Sequence, residues 1–397
     1  MPTALLTAES PFIQHLASAC ECRRQLCTSG QRTPNQADEL LRSPEQLCQL
    51  VNDLFWASMH QDEGRSVVGS LCICSPEDAP RSRCLATSVR LTPKTLTQLF
   101  IASPNNSLAV HLYEEVASVW GFLDAVPSST LQLRVTGTGT LIASEDSAII
   151  VVLEKGEILL PDESGTTSWT ALLAKNLSTS RPFQERYLLA HRIQAVALAM
   201  HRHGHGGTLV VTPPTANQTD IPDIAIAHRF GESGTGSICS AIQKLTAAEI
   251  RLKDSKSPTT ASQDTPELRS LLELLVEAHQ QKLQTLLTNI GDLTRVDGAV
   301  ALDTDLHLHG FGAKLSGTQE QFEVLMMDAL TRSTIARVHF ADLGGTRHQS
   351  AARYIYRNRD SLAIVASQDD HLTLFVWDPD CGEVLAIRRL EHFTWTS

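Results

Sequence analysis

Leu293-Thr294-Arg295-Val296-Asp297-Gly298-Ala299-Val300-Ala301-Leu302 is the stretch on which the reading of this chain turns. Upstream of it, Leu268, Leu271, Leu272, Leu275, Leu283 and Leu286 recur at helical spacing and predict one long helix from Pro266 to Ile290. Downstream, Val300-Ala301-Leu302 predicts a strand (299–303), followed by a turn at Asp303-Thr304-Asp305 and a second strand over 306–311. Asp297 therefore stands between a helix and a strand, next to two residues small enough to let a ligand reach the backbone. Further on, Gly345-Thr346-Arg347-His348 opens a helical segment running through Tyr354. A glycine turn at a helix start offers amides, a hydroxyl and cationic donors to phosphate. A lone carboxylate can hold a metal or activate a hydroxyl. The two stretches together predict a nucleotide site with phosphoryl chemistry. Taken singly, Asp-Gly is a common turn and Arg-His a common surface pair, so the ordered combination carries the reading.

Working outward, residues 1–44 mix Cys, Arg, Gln and Pro without a sustained period and predict an irregular segment. An α+β domain is predicted over 45–180: a helix marked by Leu47, Val51, Leu54 and Phe55, then strands at 65–74, 107–113, 131–135 and 149–153. Glu154-Lys155-Gly156-Glu157 predicts a hairpin turn. A middle α/β segment over 181–252 holds a helix from Pro182 to Arg202 and the strand Thr208–Val211. The polar run 253–265 predicts a linker, and 266–397 a last domain closed by strands at 362–367, 372–377 and 384–388. The fold class is thus α/β, with α+β character in the N-terminal and middle regions.

Composition limits the partners. The 397 residues carry 33 Lys and Arg against 44 Asp and Glu, a formal charge of −11, which argues against nonspecific nucleic-acid binding but leaves room for a small anionic ligand at a local basic cluster. No run approaches the ~18 apolar residues of a membrane span, and no basic-then-apolar leader is visible, so no membrane partner and a cytoplasmic location are predicted. Cys20, Cys22, Cys27, Cys48, Cys72, Cys74, Cys84, Cys239 and Cys381 lack paired CxxC spacing and read as reduced thiols rather than a zinc site.

Three motifs in order carry a family resemblance. Asp297-Gly298-Ala299-Val300, then Gly345-Thr346-Arg347-His348-Gln349-Ser350-Ala351, then Val365-Ala366-Ser367-Gln368-Asp369-Asp370 resemble the Asp-Gly-Ala, Gly-Thr-Arg-His-Arg and Ser-Glu-Glu motifs of the diadenylate cyclase domain. The resemblance covers about 266–390 and implies a mixed central sheet flanked by helices. It implies binding of ATP or a related adenine nucleotide, Mg²⁺ or Mn²⁺ as cofactor, and condensation of two ATP into cyclic di-AMP with release of pyrophosphate. Because each ATP needs its own domain, it also implies a homo-oligomer. Carried over residue by residue, it makes Asp297, Arg347 and His348 catalytic. Gly298, Ala299, Gly345, Thr346, Ser350 and Ser367 become nucleotide-binding, and Asp297, His348 and Asp369 metal ligands. Two positions depart: Gln349 replaces the second arginine and Gln368 one of the acidic residues. These departures leave open a second role, a catalytically inactive cyclase-like domain that senses a nucleotide and regulates a partner. The stretch 205–213 and Glu63-Gly64-Arg65 also resemble bacterial proteins that carry the domain as a sensor.

Two further motifs read as backbone features. His201, His203 and His205 fit a helix end with glycines at its exit better than a metal site. Gly231–Ser237 lacks the lysine of a phosphate loop and predicts a flexible loop. The helix-then-strand pattern of 188–211 is echoed in 271–302, which fits a shared way of ending a helix with glycine.

Overall fold

A computed structural model describes residues 6–7, 9–18, 44–62, 64–79, 82–103, 106–113, 116–127, 130–145, 148–162, 169–177, 181–214, 221–230, 232–255, 266–318, 320–368 and 371–393. It is a mixed α/β protein of two compact units, Met1–Thr166 with Trp395–Ser397, and Thr167–Thr394. Each is built on its own mixed sheet.

The N-terminal unit begins with helix α1 (residues 11–18) and α2 (Pro44–Ser58), then the short pair β1 (Gln61–Asp62) and β2 (Arg65–Ser66). Its sheet is formed by β3 (Gly69–Ile73), β4 (Ser82–Arg90), β5 (Ser107–Tyr113), β6 (Val116–Leu123), β7 (Leu131–Gly137), β8 (Thr140–Glu145), β9 (Ala148–Glu154) and β10 (Glu157–Leu159). The order is β10-β9-β8-β7-β3-β5-β6-β4. Only β3 and β5 pair in parallel, joined through β4 and α3 (Pro93–Ala102). Alternation along the strands sends Leu71, Ile73, Leu108, Val110, Leu133 and Val135 to one face. There they meet Leu47, Leu50, Val51 and Leu54 of α2. The predicted hairpin between β9 and β10 is present, with Lys155 (φ +49°) and Gly156 (φ +94°) in the left-handed conformation its two-residue turn needs.

The C-terminal unit contains α4 (Trp169–Asn176), α5 (Phe183–Arg202), β11 (Gly207–Thr212), β12 (Ile224–Ala225), β13 (His228–Arg229), α6 (Glu232–Ser255) and α7 (Pro266–Asp292). After these come β14 (Ala299–Asp303), β15 (Leu308–Leu315), β16 (Glu323–Asp328), β17 (Thr334–His339), α8 (Thr346–Arg357), β18 (Leu362–Ala366), β19 (Leu372–Asp378) and β20 (Glu383–Arg388). The sheet order is β12-β15-β14-β11-β18-β19-β20-β16-β17, with β13 also on β15. β11 runs parallel to β14 and β16 to β20; the other neighbours are antiparallel.

Val210, Ala301, Ala363 and Phe375 share a face with Ala351, Ala352 and Ile355 of α8. The small residues in this cluster let α8 lie close to the sheet. On the other face, Gly207 packs against Thr294 and Met200, and Gly291 lies against Val196 and Ala199, bringing α7 close to α5.

The segment 181–252, expected to stand apart from 266–397, is part of the same sheet: β11 lies between β14 and β18. Polar composition placed the expected boundary at 253–265, whereas strand pairing determines what folds together. Residues 231–237 were expected as a loop. From Glu232 onward they are the first turns of α6, a helix carried by Ile238, Ala241, Leu245 and Ala248 on its buried side. The predicted strand 306–311 is displaced to β15, because 303–307 form a closed turn with Leu306 at φ +61°.

Cys48, Cys72, Cys74, Cys84 and Cys381 are free thiols. Burial pushes Cys72 and Cys74 up to about 12, so both are inert. Cys20, Cys22 and Cys27 lie outside the described residues. Among the described residues no helix is long and apolar enough to cross a membrane.

Candidate functional site

Register brings the sequence motifs to one edge of the C-terminal sheet. Thr208 pairs with Ala299 in the parallel β11–β14 ladder, so Gly206-Gly207 enter the sheet beside Asp297-Gly298. Gly207 pairs with Ala366 in the antiparallel β11–β18 ladder, so Ser367 and Gln368 leave it at the same edge. α8 starts there as well: a side chain at Gly206 (φ +69°) would lie 2.9 Å from Arg347 Nη1 and 3.2 Å from the Ala366 carbonyl. Gly206 is thus the space that the Arg347 guanidinium occupies. By sequence Gly206 belongs to the exit turn of α5; only the parallel register reveals its second use.

Asp297 is exposed, and its Oδ1 accepts the Gly298 N–H at 3.1 Å; among the described residues Oδ2 has no hydrogen-bond partner. Gly298 has φ +106°, and a side chain there would lie 2.6 Å from the Gly312 backbone. Only glycine lets the 298 and 312 backbones approach so closely. Ala299 is buried in the apolar cluster under α8, so it can meet a ligand through its backbone alone.

α8 begins at Gly345 with no side-chain cap, and Gly344 and Gly345 face open space. Thr346, its first residue, is exposed. An uncapped helix start keeps its amides available to an anion. Ser350 donates to the Arg347 carbonyl at 3.1 Å. Ser367 closes the β18–β19 turn, its Oγ accepting the His371 N–H at 3.2 Å. Gln349 donates to the carbonyls of Ala341 (2.8 Å) and Gly344 (3.0 Å), tying down the loop before α8. Its amide therefore serves the loop. Asp369 lies outside the described residues.

His348 packs edge-on against Phe375, ring centroids 5.9 Å apart. Burial, with the neighbouring Arg388, His371 and Arg347, pushes its imidazole down to about 4. It is therefore neutral near pH 7 and presents a lone pair or one N–H, not a positive charge. Asp297 is not among the charges that shift it. β11 and β18 lie between the strand that Asp297 precedes and the β19 position under His348. Asp297 and Arg347 thus share one edge, while His348 faces the β19–β20 side, where Arg388 and His371 were missed from the sequence.

The histidine run 201–205 ends α5 as expected. His203 bonds Thr294 Oγ1 at 2.9 Å and accepts the His205 N–H at 3.1 Å, and Gly204 (φ +67°) makes the exit turn.

The opposite end of β14 holds a second aspartate. Asp303 is buried; its Oδ1 accepts the N–H groups of Asp305 (2.8 Å) and His307 (2.9 Å), and Oδ2 meets Nε2 of buried His309 at 3.2 Å.

Among curated proteins none matches the chain. Residues 36–124, spanning α2 to the end of β6, match the family model described as "Probable sensor domain DACNV". The similarity lies in the N-terminal unit, outside the edge described above.

Proposed function

We propose that the C-terminal unit binds ATP at the edge formed by Gly206, Asp297 and Arg347, and condenses two ATP into cyclic di-AMP with release of pyrophosphate. The observation carrying this reading is Arg347 seated over Gly206 beside Asp297, with an uncapped helix start next to it. In the reaction a ribose 3′-oxygen forms a bond to the α-phosphorus of the second ATP, the bond to pyrophosphate breaks, and the hydroxyl proton leaves to Asp297 or water. Arg347 and the first amides of α8 carry the phosphate charge that builds in the transition state. A single exposed carboxylate suits Mg²⁺ or Mn²⁺ whose other ligands are phosphate oxygens and water, and the metal would acidify the attacking hydroxyl. His348, away from Asp297 and packed on Phe375, stands outside that ligand set. Both half-reactions need two sites face to face, so the active species is a homo-oligomer. The match over 36–124 supports a regulatory role for the N-terminal unit.

The second reading is nucleotide binding without turnover. Gln349, committed to the Ala341 and Gly344 carbonyls, favours it by leaving one phosphate-directed cation fewer. Incubating the full chain with ATP and Mn²⁺ and resolving the products separates the two. Cyclic di-AMP is expected from the wild type. Asp297→Asn should abolish turnover with ATP affinity held within about tenfold, roughly 1.4 kcal/mol. Measurable ATP binding without product would leave only the second reading.

A further inference from the structure

The geometry points to a binding site for a free α-amino acid in the N-terminal unit, in the cavity between α2 and the β4–β6 edge. This rests on the reading of 36–124 as a sensing region and is independent of the cyclase reading.

The cavity has a volume of about 640 Å³. That falls within the range of about 300–1,000 Å³ typical of small-molecule sites. One wall is a single face of α2: Glu45, Gln49 and Asp53 follow each other at helical i, i+4 spacing. The other wall is the end of β4, Arg90-Leu91-Thr92, beside Val116-Ala117 at the start of β6. Both walls are held in place. The Leu91 N–H donates to the Ala117 carbonyl at 3.0 Å, and Thr92 and Thr95 form a reciprocal cap at the start of α3. Asp53 Oδ1 is oriented by the Gln49 amide at 3.1 Å. Leu50 and Leu91, both buried, give the cavity an apolar base.

Charge selects the ligand. Asp53 on the helix wall faces the Arg90 guanidinium on the sheet wall and feels its charge across the gap. Among the described residues Arg90 nevertheless closes no ion pair. A simple carboxylate would satisfy Arg90 but be repelled by Asp53. A simple amine would satisfy Asp53 but leave Arg90 opposed. A molecule with an ammonium and a carboxylate on one carbon satisfies both walls at once, and its side chain lies on Leu50, Leu91 and Val116.

The test is calorimetry and thermal unfolding of the full chain without ATP. Each free L-α-amino acid is titrated, with putrescine and succinate as single-sign controls. At least one amino acid is expected to bind saturably and raise the melting temperature, with neither control doing so. Arg90→Gln, at an exposed position, and Asp53→Asn should each weaken that binding about tenfold or more. Val116→Trp, which narrows the cavity and leaves every charge in place, should weaken it as well. The proposal is overturned if no amino acid binds, if a single-sign control binds as tightly, or if Arg90→Gln and Val116→Trp bind like the wild type. Failure here leaves cyclic di-AMP formation unaffected, and absence of cyclic di-AMP leaves this titration unaffected.

Discussion

The two ends of β14 carry the same residue type in opposite conditions. Asp297, before the strand, is exposed and holds one adjacent N–H; Asp303, at its end, is buried and holds two N–H groups and an imidazole. Asp303, closed off by burial and by these three partners, organises the β14–β15 turn. Asp297 keeps an oxygen free at an edge where glycine backbones and an arginine converge. The same residue type is thus committed to the fold at one end of the strand and left open at the other.

The largest effect should come from breaking the filled end. Asp303→Ala removes the oxygen that accepts both turn-closing N–H groups and leaves His309 with neither ring nitrogen partnered, since its Nδ1 already has no hydrogen bond. A loss of about 3–5 kcal/mol in urea unfolding is expected. A loss below about 1 kcal/mol would show that Asp303 is as dispensable to folding as Asp297.

Gly298→Ala comes next and probes the backbone at the open end. The new methyl would meet the Gly312 carbonyl carbon at 2.6 Å from a conformation with φ +106°. Strain and overpacking together predict a loss of about 2–4 kcal/mol. A variant of wild-type stability would mean that the 298 and 312 backbones can separate freely.

His348 places a residue expected in the site on the buried side of the comparison. Its folded value of about 4 lies below the ordinary 6.5 of a free imidazole. Between these values the unfolded chain binds the proton and the folded one does not, so stability falls as pH drops through 6.5 and levels off below about 4. Replacing His348 with Phe should remove on the order of 2–3 kcal/mol of that acid sensitivity. Unfolding curves at pH 7 and pH 4.5 on both proteins measure it, and parallel pH dependence would place His348 in water.

Elements with a strong local signal were legible in the sequence: the α5 periodicity, the Lys155-Gly156 turn, and the apolar runs of β18, β19 and β20. What local signals lack is register. Nothing in Gly206-Gly207 says that β11 will lie parallel to β14, a pairing made across α6 and α7. That pairing joins Asp297 to Gly206 and separates it from His348. The start of α6 was misread because Gly and Ser disfavour helices locally, while the apolar spacing that stabilises this one begins only at Ile238. The strands β16 and β17 were missed, although Val324, Met326 and Asp328 are buried at alternate positions between less buried neighbours.

Gln349 tests how the open end is supported. Truncation to Ala frees the carbonyls of Ala341 and Gly344, both exposed, so water takes over much of the bonding and about 1 kcal/mol should be lost. Exchange of the 341–345 amides should quicken by more than that of α8's last turn. Equal protection in both proteins would mean that the loop is held by its backbone alone.

Asp297→Asn should have the smallest effect on stability, and that small effect is the other half of the comparison. The amide keeps the shape of the carboxylate and can still accept the Gly298 N–H, and the position is exposed, so unfolding should shift by no more than about 0.5 kcal/mol. What it loses is the charge that would hold a divalent cation or take the proton of a 3′-hydroxyl. A stability loss near that of Asp303→Ala would show that Asp297 is a turn-forming residue. It would then be a second folding aspartate, and the edge beside Arg347 would lack the free carboxylate that turnover requires.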